Sequence, residues 1–172
     1  MLRTLWPLVL AVWVCLGSTA LQAQVPVFIT GSAGASLDVD SSDPVTGGGF
    51  CYLAGIGLRL TRLHFGGEIA SHGLGHSRTA RQLGAFARWP AMTRGPVRPY
   101  LVAGVADYRY DANSVPHRRA LGGSIGAGAE FAVLSRHAGL VLEARFHTAF
   151  DKIGTISTQD FLSIGLGLDF GL

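Results

Sequence analysis

The chain has 172 residues, which is enough for one ordinary domain. Only 15% of its residues are charged, against about 25% in typical globular proteins, while 48% are hydrophobic. It contains one lysine, Lys152, beside thirteen arginines, whereas a water-exposed surface normally carries many lysines. This composition argues against an ordinary soluble protein. The net charge of +3 is too small to indicate a nucleic-acid partner, and we expect none.

The first 23 residues are predicted to be a secretory signal peptide, which leaves residues 24–172 as one barrel domain. A basic start at Arg3 is followed by an uncharged apolar run over 5–16 and then by small residues. We expect cleavage after Ala20 or Ala23. The apolar run is shorter than the roughly 20 residues that cross a bilayer as a helix, which argues against a membrane-anchoring helix.

Alternation of apolar and polar residues with period two predicts eight β-strands in the rest of the chain. In chain order these are 27–38, 50–60, 63–71, 79–89, 99–110, 121–133, 139–150 and 159–171. The longer breaks between them, SSDPVTGGG, GLGHS, DANSVPHRR and DKIGTISTQ, are rich in turn-forming residues. They mostly alternate with tighter breaks. Eight antiparallel strands joined in this way predict an all-β, up-and-down barrel.

The identity of the polar face decides which side of the barrel meets lipid. In the closing strand, leucine, isoleucine and phenylalanine share one parity, while glycine, serine and Asp169 share the other. Small residues suit a crowded interior where eight strands converge, whereas glycine on a solvated surface only weakens a strand. Ten residues at about 3.3 Å each, tilted by about 40°, rise roughly 25 Å, the height of an outer-membrane apolar band. We therefore predict an eight-stranded antiparallel transmembrane β-barrel with a filled polar lumen.

Charged side chains on the inward parity cannot face lipid and have little room for water, so they must pair with one another. We expect a closed, structural charge network that fills the lumen rather than a conducting pore. Its predicted members are Arg59, Glu68, Arg88, Asp107, Arg109, Glu130, Glu143, Arg145, His147 and Asp169.

Aromatic residues on the outward parity lie near the strand ends, as in the two aromatic girdles of membrane barrels. At one rim we predict Phe65, Trp89, Tyr100 and Phe170. At the other rim we predict Tyr52, Tyr108 and Tyr110. Arg81 has outward parity too, but it lies beside a loop, where its charge costs little.

The segments RPYLVAGVADYRY, GAGAEF, LVLEARFH and FLSIGLGLDFGL resemble the strands of small bacterial outer-membrane barrels of the OmpA/OmpX or opacity-protein type. The resemblance covers essentially the whole predicted mature chain. It implies a monomer in the outer membrane of a Gram-negative bacterium, inserted by the barrel-assembly machinery. Outer-membrane lipid is the implied partner, and lipopolysaccharide is a candidate partner. Such proteins usually end in an aromatic residue. This chain departs from the pattern, because its last residue is Leu172 and its last aromatic residue is Phe170.

We expect a structural or surface-interaction role without enzymatic activity or a cofactor, and three alternatives stay open. A lipid A-modifying enzyme on the same barrel would need a nucleophile beside a histidine, but His147 is followed by Thr148 on the opposite face and Ala149 on its own. A narrow channel would need the lumen ion pairs to open. A secreted, soluble, lipocalin-like barrel would need the two faces inverted.

Other motifs receive structural interpretations. His72 and His76 would lie about 13 Å apart on a strand, so only a folded loop would let them share a metal, and we expect no metal site. GGSIGAG precedes no predicted helix, which favours strand packing over a nucleotide loop. Cys51 is interpreted as a small strand residue. Some basic residues in or beside the longer loops could meet lipopolysaccharide phosphates or simply be solvated: Arg78, Arg118, Arg119 and Lys152.

Overall fold

A computed structural model describes residues 26–39, 47–60, 62–75, 78–112, 115–132, 138–150 and 160–171, with backbone alone at 112 and 115–118. The predicted signal peptide lies outside these residues. Within the described ranges, no helix has the length and apolar character needed to cross a membrane.

Eight β-strands form a single closed sheet. They are β1 (Val27–Val39), β2 (Gly47–Arg59), β3 (His64–Gly73), β4 (Arg78–Pro90), β5 (Val97–Ala112), β6 (Val115–Phe131), β7 (Ala138–Ala149) and β8 (Asp160–Gly171). Each strand pairs antiparallel with the next in sequence, and β1 also pairs antiparallel with β8. The eight predicted strands and the up-and-down barrel are therefore confirmed.

The barrel has two ends, which we call terminal and distal. The terminal end holds the start of β1 and the end of β8, and the distal end lies opposite. The segment DANSVPHRR was predicted as a loop at the distal end, but most of it is strand. β5 runs to Ala112 and β6 starts at Val115, with a register irregularity between Tyr110 and Ala112. The predicted alternation of long and tight breaks is therefore wrong at this hairpin, because backbone pairing continues through it.

The outer surface is apolar on every strand. Large side chains there are 57% to 67% exposed: Ile56, Leu83, Leu101, Ile125 and Leu166. The interior holds charged and polar side chains that are at most 3% exposed: Glu68, Arg88, Arg145, His147 and Asp169. A soluble ligand-binding barrel has the opposite arrangement, since exposed apolar area of this extent is unfavourable in water. The faces are those of a transmembrane barrel.

Two apolar clusters support the interior. One lies toward the distal end: Leu74, Ala80, Ala106, Tyr108, Tyr110, Ala120, Ala149 and Phe161. The other lies toward the terminal end: Phe28, Phe86, Tyr100, Val102 and Val141. Charged groups pack on these rings, because the guanidinium groups of Arg88 and Arg145 lie 5.2 and 5.7 Å from the ring centre of Phe86. Such contacts are favourable when the cation is removed from water.

Glycine on the inward parity lets adjacent strands and the lumen side chains fit together. On β3, a Cβ atom added to Gly66 would meet the carbonyl oxygen of Ile56 and lie 2.7 Å from Gly57 Cα. Its neighbour Gly67 faces outward, and a Cβ added there would lie 3.7 Å from the nearest atom, the Gly84 carbonyl oxygen. The first position has no space for a methyl group, whereas the second has.

We therefore expect Gly66→Ala to destabilise the barrel by about 1–3 kcal/mol, the usual cost of overpacking a filled interior. Gly67→Ala, one residue away on the same strand, is the matched control and should leave stability near the wild-type value. Urea unfolding of the detergent-solubilised protein, followed by the fluorescence of Trp89, measures both. Equal midpoints for the two variants would contradict the crowded-lumen interpretation.

Candidate functional site: the charged lumen

An ion pair crosses the lumen from β7 to β3. In a ring of eight strands these two lie four apart, so they face each other across the barrel axis. Arg145 Nη1 donates to both carboxylate oxygens of Glu68, at 2.7 and 2.9 Å. Both side chains are almost fully buried. The pair therefore spans the diameter of the barrel near its middle.

Glu143 connects this ion pair to side chains on β4 and β5. Arg145 Nε donates to Glu143 Oε1 at 2.6 Å, and the Tyr100 hydroxyl donates to Glu143 Oε2 at 2.7 Å. Arg88 Nη2 lies 3.4 Å from the same Oε2 atom. A buried carboxylate is tolerated only when its oxygens are hydrogen-bonded and its charge is balanced, and Glu143 meets both conditions.

Two further pairs cross the axis toward the terminal end. Arg88 on β4 donates to Asp169 on β8 at 3.0 Å, and Arg59 on β2 lies 3.7 Å from Glu130 on β6. Arg59 also donates to Asp169, which links the two pairs. Arg98 completes the group by donating to Glu130 at 2.7 Å.

The charges in this network balance. Its cations are Arg59, Arg88, Arg98 and Arg145. Its anions are Glu68, Glu130, Glu143 and Asp169. Four positive and four negative groups give no net charge, which is the condition for packing them together at low water content.

Neutral polar groups continue the network toward the distal end. Gln82 donates to Glu68 at 2.6 Å and lies 3.2 Å from His72 Nε2. His147 has the Tyr108 hydroxyl 3.0 Å from Nδ1 and Ser163 Oγ 2.9 Å from Nε2, and its ring stacks on Phe161 with ring centres 4.4 Å apart. Both nitrogens of this buried histidine are thus satisfied, whichever tautomer is present.

The structure places eight of the ten predicted network residues in the lumen and brings seven of them into one connected set of ion pairs. The seven are Arg59, Glu68, Arg88, Glu130, Glu143, Arg145 and Asp169. His147 lies in the lumen too, but it bonds to neutral partners.

The face assigned to β5 was wrong. Tyr108 is fully buried and Tyr110 is 9% exposed, so both point into the lumen, as does Tyr100. Asp107 and Arg109 have the other parity and lie on the outside, where Asp107 is 3.8 Å from the exposed Arg119. The physical reason is that the hydroxyls of Tyr100 and Tyr108 bond to Glu143 and His147 in the lumen, while Asp107 and Arg109 lie in the distal half of the strand.

The remaining predicted girdle residues lie on the outside: Phe65, Trp89 and Phe170 toward the terminal end, and Tyr52 in the distal half. Sequence reasoning missed Arg98, Gln82 and Ser163 as lumen partners. A signal for β5 was present, because Gly104 shares the parity of the tyrosines, and glycine marks the lumen parity on β2 and β8. The inward parity of Ser163 was predicted, but its contact with His147 was not, since the two side chains meet only across the β7–β8 register.

The structure also places several of the loop residues and motifs that the sequence analysis named. Arg78 points inward and donates to Asp38 at 2.7 Å, while Arg119 is exposed. Cys51 is buried on β2, and GGSIGAG lies within β6. His76, Lys152 and the side chain of Arg118 lie outside the described part of the chain. Among the described residues, no three histidine, cysteine or acidic side chains form a group that could hold a metal ion.

An apolar exterior around a charge-balanced interior defines the class: this is a small eight-stranded transmembrane β-barrel fold. Solved barrels of bacterial outer-membrane proteins have the same fold. Neisserial surface protein A (NspA) matches with a TM-score of 0.73 and 18% identity, over 84% of this chain and 96% of that chain. The N-terminal β-barrel domain of Pseudomonas aeruginosa OprF matches with a TM-score of 0.61 and 17% identity, over 85% and 97%.

A third barrel is Ail, the attachment invasion locus protein of Yersinia pestis, solved in complex with the heparin analogue sucrose octasulfate. It matches with a TM-score of 0.53 and 12% identity, over 86% of this chain and 98% of that chain. No family model and no curated protein sequence matches the chain. At these identities the likeness establishes the fold.

The axis-crossing bridge should dominate stability. We expect Arg145→Met to cost about 3–5 kcal/mol of unfolding free energy, because it leaves Glu68 and Glu143 buried without their main cation. Adding Glu68→Gln should recover part of this loss, since it removes one uncompensated charge. Urea unfolding in detergent micelles measures all three proteins.

The matched control is Arg119→Met, which removes an exposed arginine paired at 3.8 Å on the outer surface. We expect a change of about 0–1 kcal/mol, as for other exposed ion pairs. A similar loss for Arg119→Met and Arg145→Met would show that the lumen bridge has no special weight.

Proposed function

We propose that this chain is an outer-membrane barrel with a closed, non-conducting lumen, and that its role is structural or a surface contact rather than catalysis. The single observation that carries the proposal is the set of ion pairs that cross the barrel axis. Export by the predicted signal peptide, insertion by the barrel-assembly machinery and a monomeric state belong to the same proposal.

The side chains of the ion pairs that cross the lumen occupy the barrel axis. The Arg145–Glu68 pair spans the middle, and the Arg88–Asp169 and Arg59–Glu130 pairs span the terminal half. Toward the distal end, the rings of His72 and His147 lie 4.9 Å apart between the same opposed strands, β3 and β7. Ion passage would require several buried ion pairs to separate together, and each such separation is costly.

The exterior supports a membrane location. Exposed apolar side chains occur on all eight strands, and burying them in lipid rather than water is favourable by roughly 25 cal/mol per Å². Two of the solved barrels with this fold are named as a surface protein, NspA, and an attachment invasion locus protein, Ail. These neighbours support a role that is exercised at the cell surface.

The His147–Ser163 pair has the residue types of a catalytic dyad. The hydroxyl and the imidazole are 2.9 Å apart, which is within reach for base activation. However, the second ring nitrogen of His147 meets the Tyr108 hydroxyl rather than a carboxylate, and His147 is 1% exposed. A lipid substrate in the bilayer meets the opposite face of the barrel, so this pair supports packing rather than acyl transfer.

Conductance tests the closed lumen. In planar bilayers we expect the folded wild-type protein to give no stable single-channel steps. The double variant Glu68→Ala/Arg145→Ala removes the central bridge and should admit small ion currents. The outer-surface double variant Asp107→Ala/Arg119→Ala is the control and should remain silent. Stable wild-type steps would overturn the closed-lumen proposal in favour of a channel.

Lipid A analysis tests the absence of catalysis. We expect mass spectrometry of lipid A from cells that produce the wild-type protein to match that from cells with an empty vector. The Ser163→Ala variant should give the same spectrum, because Ser163 has a packing role. Loss or gain of an acyl chain with the wild type, abolished in Ser163→Ala, would assign an enzyme instead.

A further inference from the structure

Three arginines from adjacent strands lie side by side on the outer surface. In the strand register, Arg81 on β4 is opposite Arg109 on β5, and Arg109 is opposite Arg119 on β6. Directly opposed residues of an antiparallel pair point to the same face, so the three side chains form one row, the arginine row. All three are exposed. The row exists only because the face of β5 differs from the sequence-based assignment.

The row is electrostatically unfavourable when it stands alone. Like charges directly opposite each other on neighbouring strands destabilise the pairing. Two aspartates reduce this repulsion in part: Asp111 lies 3.5 Å from Arg81 and Asp107 lies 3.8 Å from Arg119. Arg109, in the middle, forms no ion pair with any residue that the structure describes. An external anion would relieve this repulsion and give Arg109 a partner.

The row borders the apolar surface. Going from the distal end toward the middle of each strand, the next large apolar residue on the outer face is Leu83 on β4, Val105 on β5 and Leu121 on β6. On β5, Asp107 comes before Val105 and lies between Leu83 and Leu121 in the strand register. The three apolar side chains are 56% to 65% exposed. The arginines therefore lie where the apolar band ends, at the depth at which lipid headgroups meet a membrane barrel.

We propose that the arginine row binds the headgroup of a phosphorylated glycolipid in the leaflet at the distal end, with the acyl chains lying on Leu83, Val105 and Leu121. Guanidinium groups bind phosphate through paired, charge-assisted hydrogen bonds. An anionic lipid surface can attract several arginine side chains at once. The inference rests on the proposed membrane location and adds a partner to it.

The width of the row indicates more than one phosphate. Adjacent strands are about 4.8 Å apart, so the outer two arginines are separated by roughly 10 Å at the backbone. A headgroup with one phosphate would contact one or two of the three side chains. A diphosphorylated sugar headgroup would reach the full row, which favours such a glycolipid over a glycerophospholipid.

Native mass spectrometry tests the proposal. The full mature protein in non-ionic detergent is titrated with diphosphoryl lipid A, and the fraction of lipid-bound protein gives the affinity. We expect the triple variant Arg81→Gln/Arg109→Gln/Arg119→Gln to bind about tenfold more weakly or worse. We expect wild-type protein to bind monophosphoryl lipid A more weakly than the diphosphoryl form.

The control is Arg62→Gln/Arg94→Gln, which removes exposed arginines at the terminal end and should keep wild-type affinity. Wild-type affinity in the triple variant would overturn the inference, and so would equal losses in the triple and control variants or equal binding of the two lipids. An unboiled gel shift in every variant establishes that the barrel is folded. Failure of the proposed function is a separate result, seen as wild-type conductance or as absence from the membrane fraction.

Discussion

The interior of an eight-stranded barrel must be filled by its own side chains, and here the filling depends on the Arg145–Glu68 pair across the axis. Both charges are buried, so neither is stable without the other, and each needs further partners. Glu143, Gln82 and Tyr100 supply them. The polarity of β3, β4, β5 and β7 follows from this one requirement, since each strand must present at least one member of the network to the lumen.

The same requirement explains the small residues. Long arginine and glutamate side chains occupy the axis, so the wall beside them must be thin, and glycine supplies that wall at Gly66 and Gly126. Because the lumen arginines are paired with the lumen carboxylates, these charges have no need of water and the outer face can be apolar. Among the described residues, charges that do not enter the lumen lie in the distal half of the strands or in the turns, and the arginine row lies in the distal half.

Much of the fold was predictable because a strand presents its two faces with period two. On β7, leucine and phenylalanine alternate with Glu143, Arg145 and His147, so the inward face could be identified without coordinates. On β5 this alternation was ambiguous, because tyrosine has an apolar ring and a polar hydroxyl. The tyrosines occur on one parity, while Asp107 and Arg109 occur on the other. Alternation sorts side chains by polarity, but it contains no information about the depth at which a charge lies.

The sequence by itself determined the number of strands, the antiparallel order, the apolar exterior and most members of the charged interior, because these depend on local alternation and on turn residues. Only the tertiary structure decided which charges meet, since Arg145 and Glu68 are far apart in sequence and adjacent only when the ring closes. Closure also decided the face of β5, where the Tyr100 and Tyr108 hydroxyls reach acceptors on β7. Partnership across a barrel is set by strand register and ring size, which no single strand encodes.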